Sequence, residues 1–340
     1  MNSTQIAVDL AKTVFQVAVS STPGRIDKEH RLSRARFQRF IAEHEPVEVL
    51  LEACGTAHHW GRELEALGHR VSLLPAADVR RYRDGNKTDR ADAKALLEAA
   101  RNEAIDVVPV KSIDQQTITA LHRLRSGYLQ TRTARINAVR GLLREFGIAI
   151  PVGARHLVPR VRAAIEEGAV PTDLAPVLKD ALGEIEELKR KAHDIERRLK
   201  GLAKHMPEAE ILMSVPGIGV LTATALVAFV GDVRRFRSGR HFAAYLGLTP
   251  REHSSGLSRR IGRISKRGNT YLRMLLIHGA RSVLRAAKLT EQPDGLRTWA
   301  LGIAARSGYN TAAVALANKL ARIAWRRWRD GQPFESRLTA

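Results

Sequence analysis

A single cysteine, Cys54, occurs in 340 residues, so no intramolecular disulfide can form and the chain suits a reducing compartment. Two residues beyond Glu52, it reads as a small core filler rather than a nucleophile. No stretch approaches the ~20 consecutive apolar residues needed to span a bilayer. The start, Met1-Asn2-Ser3-Thr4-Gln5, lacks the charged and apolar regions of a signal peptide. A cytoplasmic location, nucleoid-associated when acting and without a membrane partner, is therefore expected. Acids are also scarce: 35 Asp+Glu face 56 Lys+Arg, a formal charge of +21, with a pI near 10.9. Such an imbalance marks a polyanion partner, because each phosphate neutralised releases condensed counterions. The length points to two or three domains of ~100–200 residues each.

In so basic a chain four acids stand out. Asp9 ends the apolar run Ile6-Ala7-Val8, and Glu52 ends Val47-Glu48-Val49-Leu50-Leu51. Asp89 and Asp92 have the i, i+3 spacing that puts both carboxylates on one face of a helix. Carboxylates on strand ends, converged by a nearby helix, suit hard divalent cations, which take oxygen ligands. The expected cofactor is Mg2+, with Mn2+ able to substitute, and a pair of such ions activates and stabilises oxygens at a phosphodiester. Any one of these acids taken alone reads better as a solvated loop or helix-start residue; the layout of all four favours a shared site.

Residues 1–110 read as an α/β metal domain. Ile6–Leu10 and Val14–Ser20 are β-rich runs whose short link favours a hairpin, and Pro23-Gly24 marks the next turn. Ser33 is a plausible N-cap for a helix through Phe37, Phe40 and Ile41. Val47–Leu51 is a nearly continuous apolar strand. A helix over Trp60–Leu67, a strand over Arg70–Leu74 and helices starting near Ala76 and Asp89 follow. Antiparallel strands that then receive further strands through helical crossovers form the pattern of a ribonuclease-H-like, RuvC-like domain.

Residues 111–206 form a long-helix connector. Apolar positions recur at threes and fours from Asp114 to Phe146, and Pro and Gly interrupt residues 151–171, leaving at most short helices there. From Leu174 to Lys204, Leu178, Leu182, Ile185, Leu188, Ala192, Ile195, Leu199 and Leu202 step close to a heptad seam. That seam fits a coiled-coil arm or an amphipathic core helix, pairing within the chain or with another subunit.

Residues 207–340 form a mainly α domain. It opens with Val215-Pro216-Gly217-Ile218-Gly219 before the apolar stretch Leu221–Val230, a helix-hairpin-helix signature. Gly217 and Gly219 would let backbone N–H groups and a helix N-terminus face a phosphate; the alternative is a tight turn without a ligand. Eleven Lys/Arg then fall between Arg234 and Arg273, with Glu252 as the one acid. Arg251, Arg259, Arg260, Arg263, Lys266, Arg267 and Asn269 are the candidate nucleic-acid contacts, interleaved with glycines that let backbone approach a ligand. Ser254-Ser255-Gly256 lies inside this run, and a serine amid Arg and His is a candidate nucleophile. Trp325 and Trp328 are expected to pack rather than to stack on bases.

Ala7-Val8-Asp9-Leu10-Ala11-Lys12, Leu51-Glu52-Ala53-Cys54-Gly55 and Lys87-Thr88-Asp89-Arg90-Ala91-Asp92-Ala93 resemble the DEDD set of the IS-one-ten family of insertion-sequence transposases. Val215–Gly219, Tyr245–Pro250, and Ser254-Ser255-Gly256 running into Gly262–Asn269 and Leu272-Arg273 are similar to its C-terminal domain, most like the IS-eleven-eleven subgroup. The resemblance covers residues 5–290. It implies a RuvC-like domain whose acids Asp9, Glu52, Asp89 and Asp92 bind metal, and a second domain supplying a catalytic serine, here Ser255. It further implies a structured noncoding bridge RNA pairing with double-stranded donor and target DNA, and a covalent phosphoserine link. Active sites would be shared between subunits of a homodimer or homotetramer. Two other functions fit the residues: a RuvC-like structure-specific endonuclease using two metals and water, and a non-catalytic junction- or RNA-binding protein.

Overall fold

Runs of β-forming apolar residues in the first two strands set the N-terminal sheet. In the computed structural model, which describes residues 4–22, 25–83, 88–256 and 258–335 apart from the side chain of Asp89, the chain divides into two units, Met1–Gln116 and Thr117–Ala340. The turn expected at Pro23-Gly24 lies outside the described residues. In the first unit β1 (Gln5–Leu10), β2 (Val14–Ser20) and β3 (Lys28–Ser33) form an antiparallel meander. Helix α1 (Arg34–Ala42) leads to β4 (Glu48–Glu52), and α2 (Ala57–Ala66) leads to β5 (Arg70–Leu74). Both later strands join in parallel, giving the order β3-β2-β1-β4-β5. The short α3 (Ala76–Val79) and α4 (Asp89–Ala100) complete the unit.

The two sheet faces are covered differently. Ile6, Val8, Phe15 and Val17 pack against Phe37 and Ile41 of α1 and Trp60 and Leu64 of α2. Phe15, Phe37 and Trp60 meet edge to face at centroid distances of 5.1–5.3 Å. Ala7, Ala18 and Leu50 pack on Ala93, Leu96 and Leu97 of α4. The expected strands, the hairpin link and the Ser33 cap, which accepts from the Arg36 N–H, are all present. Strand β3 was not anticipated, because its sequence Lys-Glu-His-Arg-Leu-Ser is polar and carries almost no apolar alternation.

The second unit is mostly helical. Its long helices are α5 (Ile113–Glu145), which starts in the first unit, and α7 (Leu174–Ala203), with α6 (Leu157–Glu166) between them. The heptad-like seam of α7 is paired within the chain: Leu178, Leu182 and Ile185 pack on Ile136, Val139 and Leu143 of α5 and on α6. Farther along, Ile195 and Leu199 meet Ile118. Arg135 to Glu184 and Arg125 to Glu196 bridge the same antiparallel pair. Helices α8 (Pro207–Met213) and α9 (Val220–Val230) follow, then α10 (Gly239–Tyr245), a hairpin of β6 (Pro250–Glu252) and β7 (Ile261–Ile264), α11 (Thr270–Ala287), α12 (Gly295–Ser307) and α13 (Tyr309–Asp330). The hairpin was not foreseen in the basic stretch. Trp325 and Trp328 are buried in the core, as expected.

Helix α9 is apolar on every side and buried along most of its length. One polar tie to α5 is His122, which is fully buried. Thr224 spends its hydroxyl proton on the Val220 carbonyl at 2.7 Å, so its oxygen accepts from His122 Nε2–H at 3.0 Å. His122 Nδ1 is then the acceptor for the Tyr271 hydroxyl of α11, at 2.9 Å. Burial, followed by the nearby Arg125 charge, lowers the His122 pKa to about 4. The turn between α8 and α9 rests directly on α11: a Cβ added to Gly279 would lie 2.0 Å from the Gly217 carbonyl oxygen.

Two stability outcomes follow from these contacts. Gly279→Ala forces backbone apart and should destabilise by ~3 kcal/mol, the upper part of the usual overpacking range. Gly141→Ala, in open space on α5, should stabilise by ~0.5–1 kcal/mol; equal thermal midpoints for the two variants would refute the contact argument. Between pH 6.5 and about 4 the unfolded chain protonates His122 while the folded chain keeps it neutral. Stability from this group is therefore lost as pH falls through that window, by on the order of 3 kcal/mol in total. Denaturant titrations of wild type and His122→Gln across the window should diverge accordingly, the variant showing the shallower pH slope.

Candidate functional site

Strands β1 and β4 run side by side in parallel, with Val8 opposite Leu51. Side chains alternate along a strand, so Asp9 shares the face of Ala7 and Glu52 shares that of Leu50. Both alanine and leucine pack on α4, so the two carboxylates, at the C-terminal ends of adjacent strands, face that helix. Asp92 lies in the first turn of α4 and is nearly buried. Thr88 caps this helix by accepting from the Ala91 N–H at 3.2 Å. Three of the four expected acids are thus brought to one side of the sheet; the side chain of Asp89 is outside the described residues.

Among the described residues no three Asp, Glu, His or Cys side chains lie close enough together to hold a metal ion. The guanidinium of Arg83 forms an ion pair with Asp92. Arg83 was not anticipated; only its proximity in sequence could have signalled it. The donors are all oxygen and match a hard cation, and Arg83 supplies positive charge at the place beside Asp92 that such a cation would neutralise.

The candidate serines lie on the exposed hairpin β6–β7. Ser255 and Ser258 exchange backbone hydrogen bonds at 3.1 and 3.0 Å, closing the loop over Gly256, whose φ is +54°. Ser254 donates its hydroxyl to Glu252 Oε1 at 2.8 Å and accepts from the Arg260 N–H at 3.2 Å. Arg259 donates to the same Glu252 oxygen at 3.2 Å. The Ser254 hydroxyl, and after it the Arg259 charge, hold the Glu252 carboxyl below its usual pKa. Ser254 is thereby fixed within the turn, whereas the Ser255 hydroxyl takes no partner among the described residues.

The basic residues divide into exposed side chains and ones taken up by the fold. Arg260, Arg263 and Arg267 are exposed and form no ion pair among the described residues. Arg251 is exposed and donates to the Ser265 carbonyl at 3.1 Å. Lys266 is exposed as well, with a φ of 56° that no other described non-glycine residue shares. Asn269 caps α11, its Oδ1 accepting from the Tyr271 and Leu272 N–H groups. Arg273, read from sequence as part of the phosphate-gripping stretch, is instead a buried strut, donating to the Leu246 and Arg267 carbonyls at 3.0 Å each. Arg235 is likewise taken up, with its guanidinium 4.6 and 4.9 Å from the ring centres of Phe236 and Tyr245. Gly217 owes its lack of a side chain to the approach of α11, whereas Gly219, at the N-cap of α9, is exposed with open space around it.

Comparison with known proteins accounts for both halves of the chain. Residues 6–148 match the model of the IS110 DEDD transposases, and residues 209–293 that of the transposase IS116/IS110/IS902 family. A protein of Pseudomonas aeruginosa described as a family 20 transposase is 42% identical, covering 96% of each chain. The transposase for insertion sequence element IS1111A of Coxiella burnetii is 38% identical over 94% of this chain and 88% of its own. The transposase for IS1328 of Yersinia enterocolitica is 36% identical over 95% and 96%, respectively. These matches make the protein an enzyme acting on DNA, of a class with divalent-metal use, and no helix of the described residues is long and apolar enough to cross a membrane. With an acid-bearing sheet in one half and a basic, serine-bearing hairpin in the other, the chain belongs to the IS116/IS110/IS902 family of insertion-sequence transposases.

Proposed function

We propose that the chain is a Mg2+-dependent recombinase that moves an insertion sequence through a covalent phosphoserine–DNA intermediate on Ser255. The observation that carries this reading is the exposed hairpin, which presents a serine without a hydrogen-bond partner among the described residues, amid arginines. The sheet order β3-β2-β1-β4-β5 supports a ribonuclease-H-like, RuvC-like reading of residues 1–110. The packing of α8 on α9 across Val215–Gly219 supports a helix-hairpin-helix in residues 207–340. The long helices of residues 111–206 stand between these domains in the sequence.

Asp9, Glu52 and Asp92, with Asp89, are the residues that would hold Mg2+, and Asp92 would exchange its Arg83 partner for the ion. The ion's contribution, when bound, is charge stabilisation at the phosphodiester. The Ser255 oxygen releases its proton to water and forms a bond to phosphorus while the scissile phosphorus–oxygen bond breaks, and the leaving oxygen of the strand takes up a proton from water. Glu252 and Arg259 keep Ser254 and the loop backbone in place, and the flanking arginines bear part of the developing negative charge. Rejoining to a second strand reverses these bond changes. Donor and target DNA would be selected by a bridge RNA, whose phosphates add to the demand for positive charge, and acids and serine would meet across subunits of a dimer or tetramer in the cytoplasm.

Trapping tests the reading. Incubation with guide RNA, Mg2+ and a nicked suicide DNA substrate should yield an adduct that peptide mapping places on Ser255. Asp9→Asn should abolish the adduct and recombination while leaving DNA binding within about twofold. Efficient cleavage by Ser255→Ala without any adduct would return the reading to a water-using nuclease, and an adduct on Ser254 would move the nucleophile by one residue.

Phosphate contact by the hairpin has its own signature. Arg260→Ala should weaken binding about uniformly across DNA sequences and reduce the salt slope by roughly 0.9. Arg259→Ala should reduce it less, since Glu252 already neutralises that guanidinium. Altered target preference at unchanged salt slope would contradict the assignment.

A further inference from the structure

A cleft of about 750 Å3 opens at the base of the hairpin, between β7 and helices α11, α12 and α13. Its lining is mixed in an informative way. Ile277 of α11, Val314 of α13 and the ring of Trp299 of α12 supply apolar surface, while Arg263, Lys266, Lys319 and Arg322 supply four cations. No acid is among the lining residues. Trp299 is 36% exposed although it belongs to a packed helix. Lys319 Nζ lies 4.1 Å from its ring centre, which orients the indole and places a cation beside whatever stacks on it. Lys266 is held in the left-handed backbone region at the rim, by a hydrogen bond from its N–H to the Gly247 carbonyl at 3.1 Å. Such a conformation costs of order 1 kcal/mol or more in a non-glycine residue and clusters at ligand clamps.

A duplex offers its outer surface as phosphates and sugars, and an apolar floor gains little against it. A single strand offers both phosphates for cations and unstacked base faces for aromatic and apolar surface. We infer that this cleft binds single-stranded DNA, with an unstacked base against Trp299 and flanking phosphates at Arg263, Lys266, Lys319 and Arg322. DNA is the source because the family acts on DNA and because the cleft is built partly from the strand that follows the candidate serines, where a cut strand leaves its partner. A path for the strand continues beyond the site. Lys319 and Arg322 also line a neighbouring cleft of about 680 Å3, in which Arg240 and Arg327 add further cations. The inference needs the DNA substrate of the family and holds whether Ser255 or water cuts the strand.

The test uses the full-length protein, labelled deoxy-oligonucleotides and the matching duplex at fixed salt. Trp299→Ala should weaken single-strand binding by about 5- to 150-fold, the span of one stacked base, and change duplex binding by less than about twofold. Trp299→Phe should recover most of the loss. Lys319→Gln and Arg322→Gln should each lower the single-strand salt slope by roughly 0.7. Equal losses on single strand and duplex, or no loss on either, would overturn the inference. A loss confined to an oligoribonucleotide of the same sequence would overturn the assignment to DNA. A second measurement needs no variant: 5-bromouracil photocross-linking of single-stranded DNA to the wild-type chain should map to Trp299, and adducts found only elsewhere would count against the site.

Discussion

Helix α9 has no polar face, and most of the second unit is arranged around that constraint. An apolar helix in water has to be enclosed, so α5, α7, α8 and α11 all contribute side chains to its surroundings. Enclosure creates a polar problem of its own, because Thr224 and His122 are buried with it. A single hydrogen-bonded chain, Tyr271 to His122 to Thr224 to the Val220 carbonyl, satisfies these groups with the imidazole neutral. The same chain ties α11 to α5. Helix α11 in turn carries Asn269 and Arg273, which hold the loop after β7. The position of the exposed hairpin therefore depends, through α11, on how an apolar helix is buried.

Positive charge is the second constraint. A chain with 56 Lys+Arg and 35 Asp+Glu cannot pair each cation, and exposed like charges repel one another unless water or a polyanion screens them. Some arginines are withdrawn into structural work: Arg273 bridges carbonyls, Arg235 lies against aromatic rings, and Arg83 holds Asp92. Those that remain on the hairpin and on α13 lie beside backbone already fixed by glycines and caps. Gly247 and Gly268 are examples, because a Cβ on either would collide with the facing backbone. Backbone fixed in this way does not have to be ordered when the cations bind phosphate, so that only their side chains lose conformational freedom, which suits an enzyme that holds DNA while strands are cut.

Much of the α/β unit was legible because its signals are local. Runs rich in β-forming residues gave β1 and β2, Ser33 gave the start of α1, and the i, i+3 spacing of Asp89 and Asp92 marked one helix face. Elements exposed on a polar surface carried no such signal. Strand β3 and the hairpin β6–β7 are built from charged residues and glycine, so neither period 2 nor an apolar run marks them. The heptad seam of α7 was legible as a seam, but its partner was not, since a repeat states that a face is buried without stating against what.

By itself the sequence determined the polyanion partner, the strand-end placement of Asp9 and Glu52, the two long helices and the family, because composition, periodicity and motif spacing are properties of the chain alone. Tertiary structure decided which residues of a given type do which work. Arg273 and Arg260 are the same residue in the same basic stretch; one is buried against carbonyls and the other is exposed on the hairpin. Ser254 and Ser255 are adjacent and identical, yet only one donates to Glu252. Gly217 answers to the approach of Gly279, some sixty residues away in the sequence. Long-range contact assigns these roles: a side chain's chemistry is fixed by its type, but its availability is fixed by what the fold places beside it.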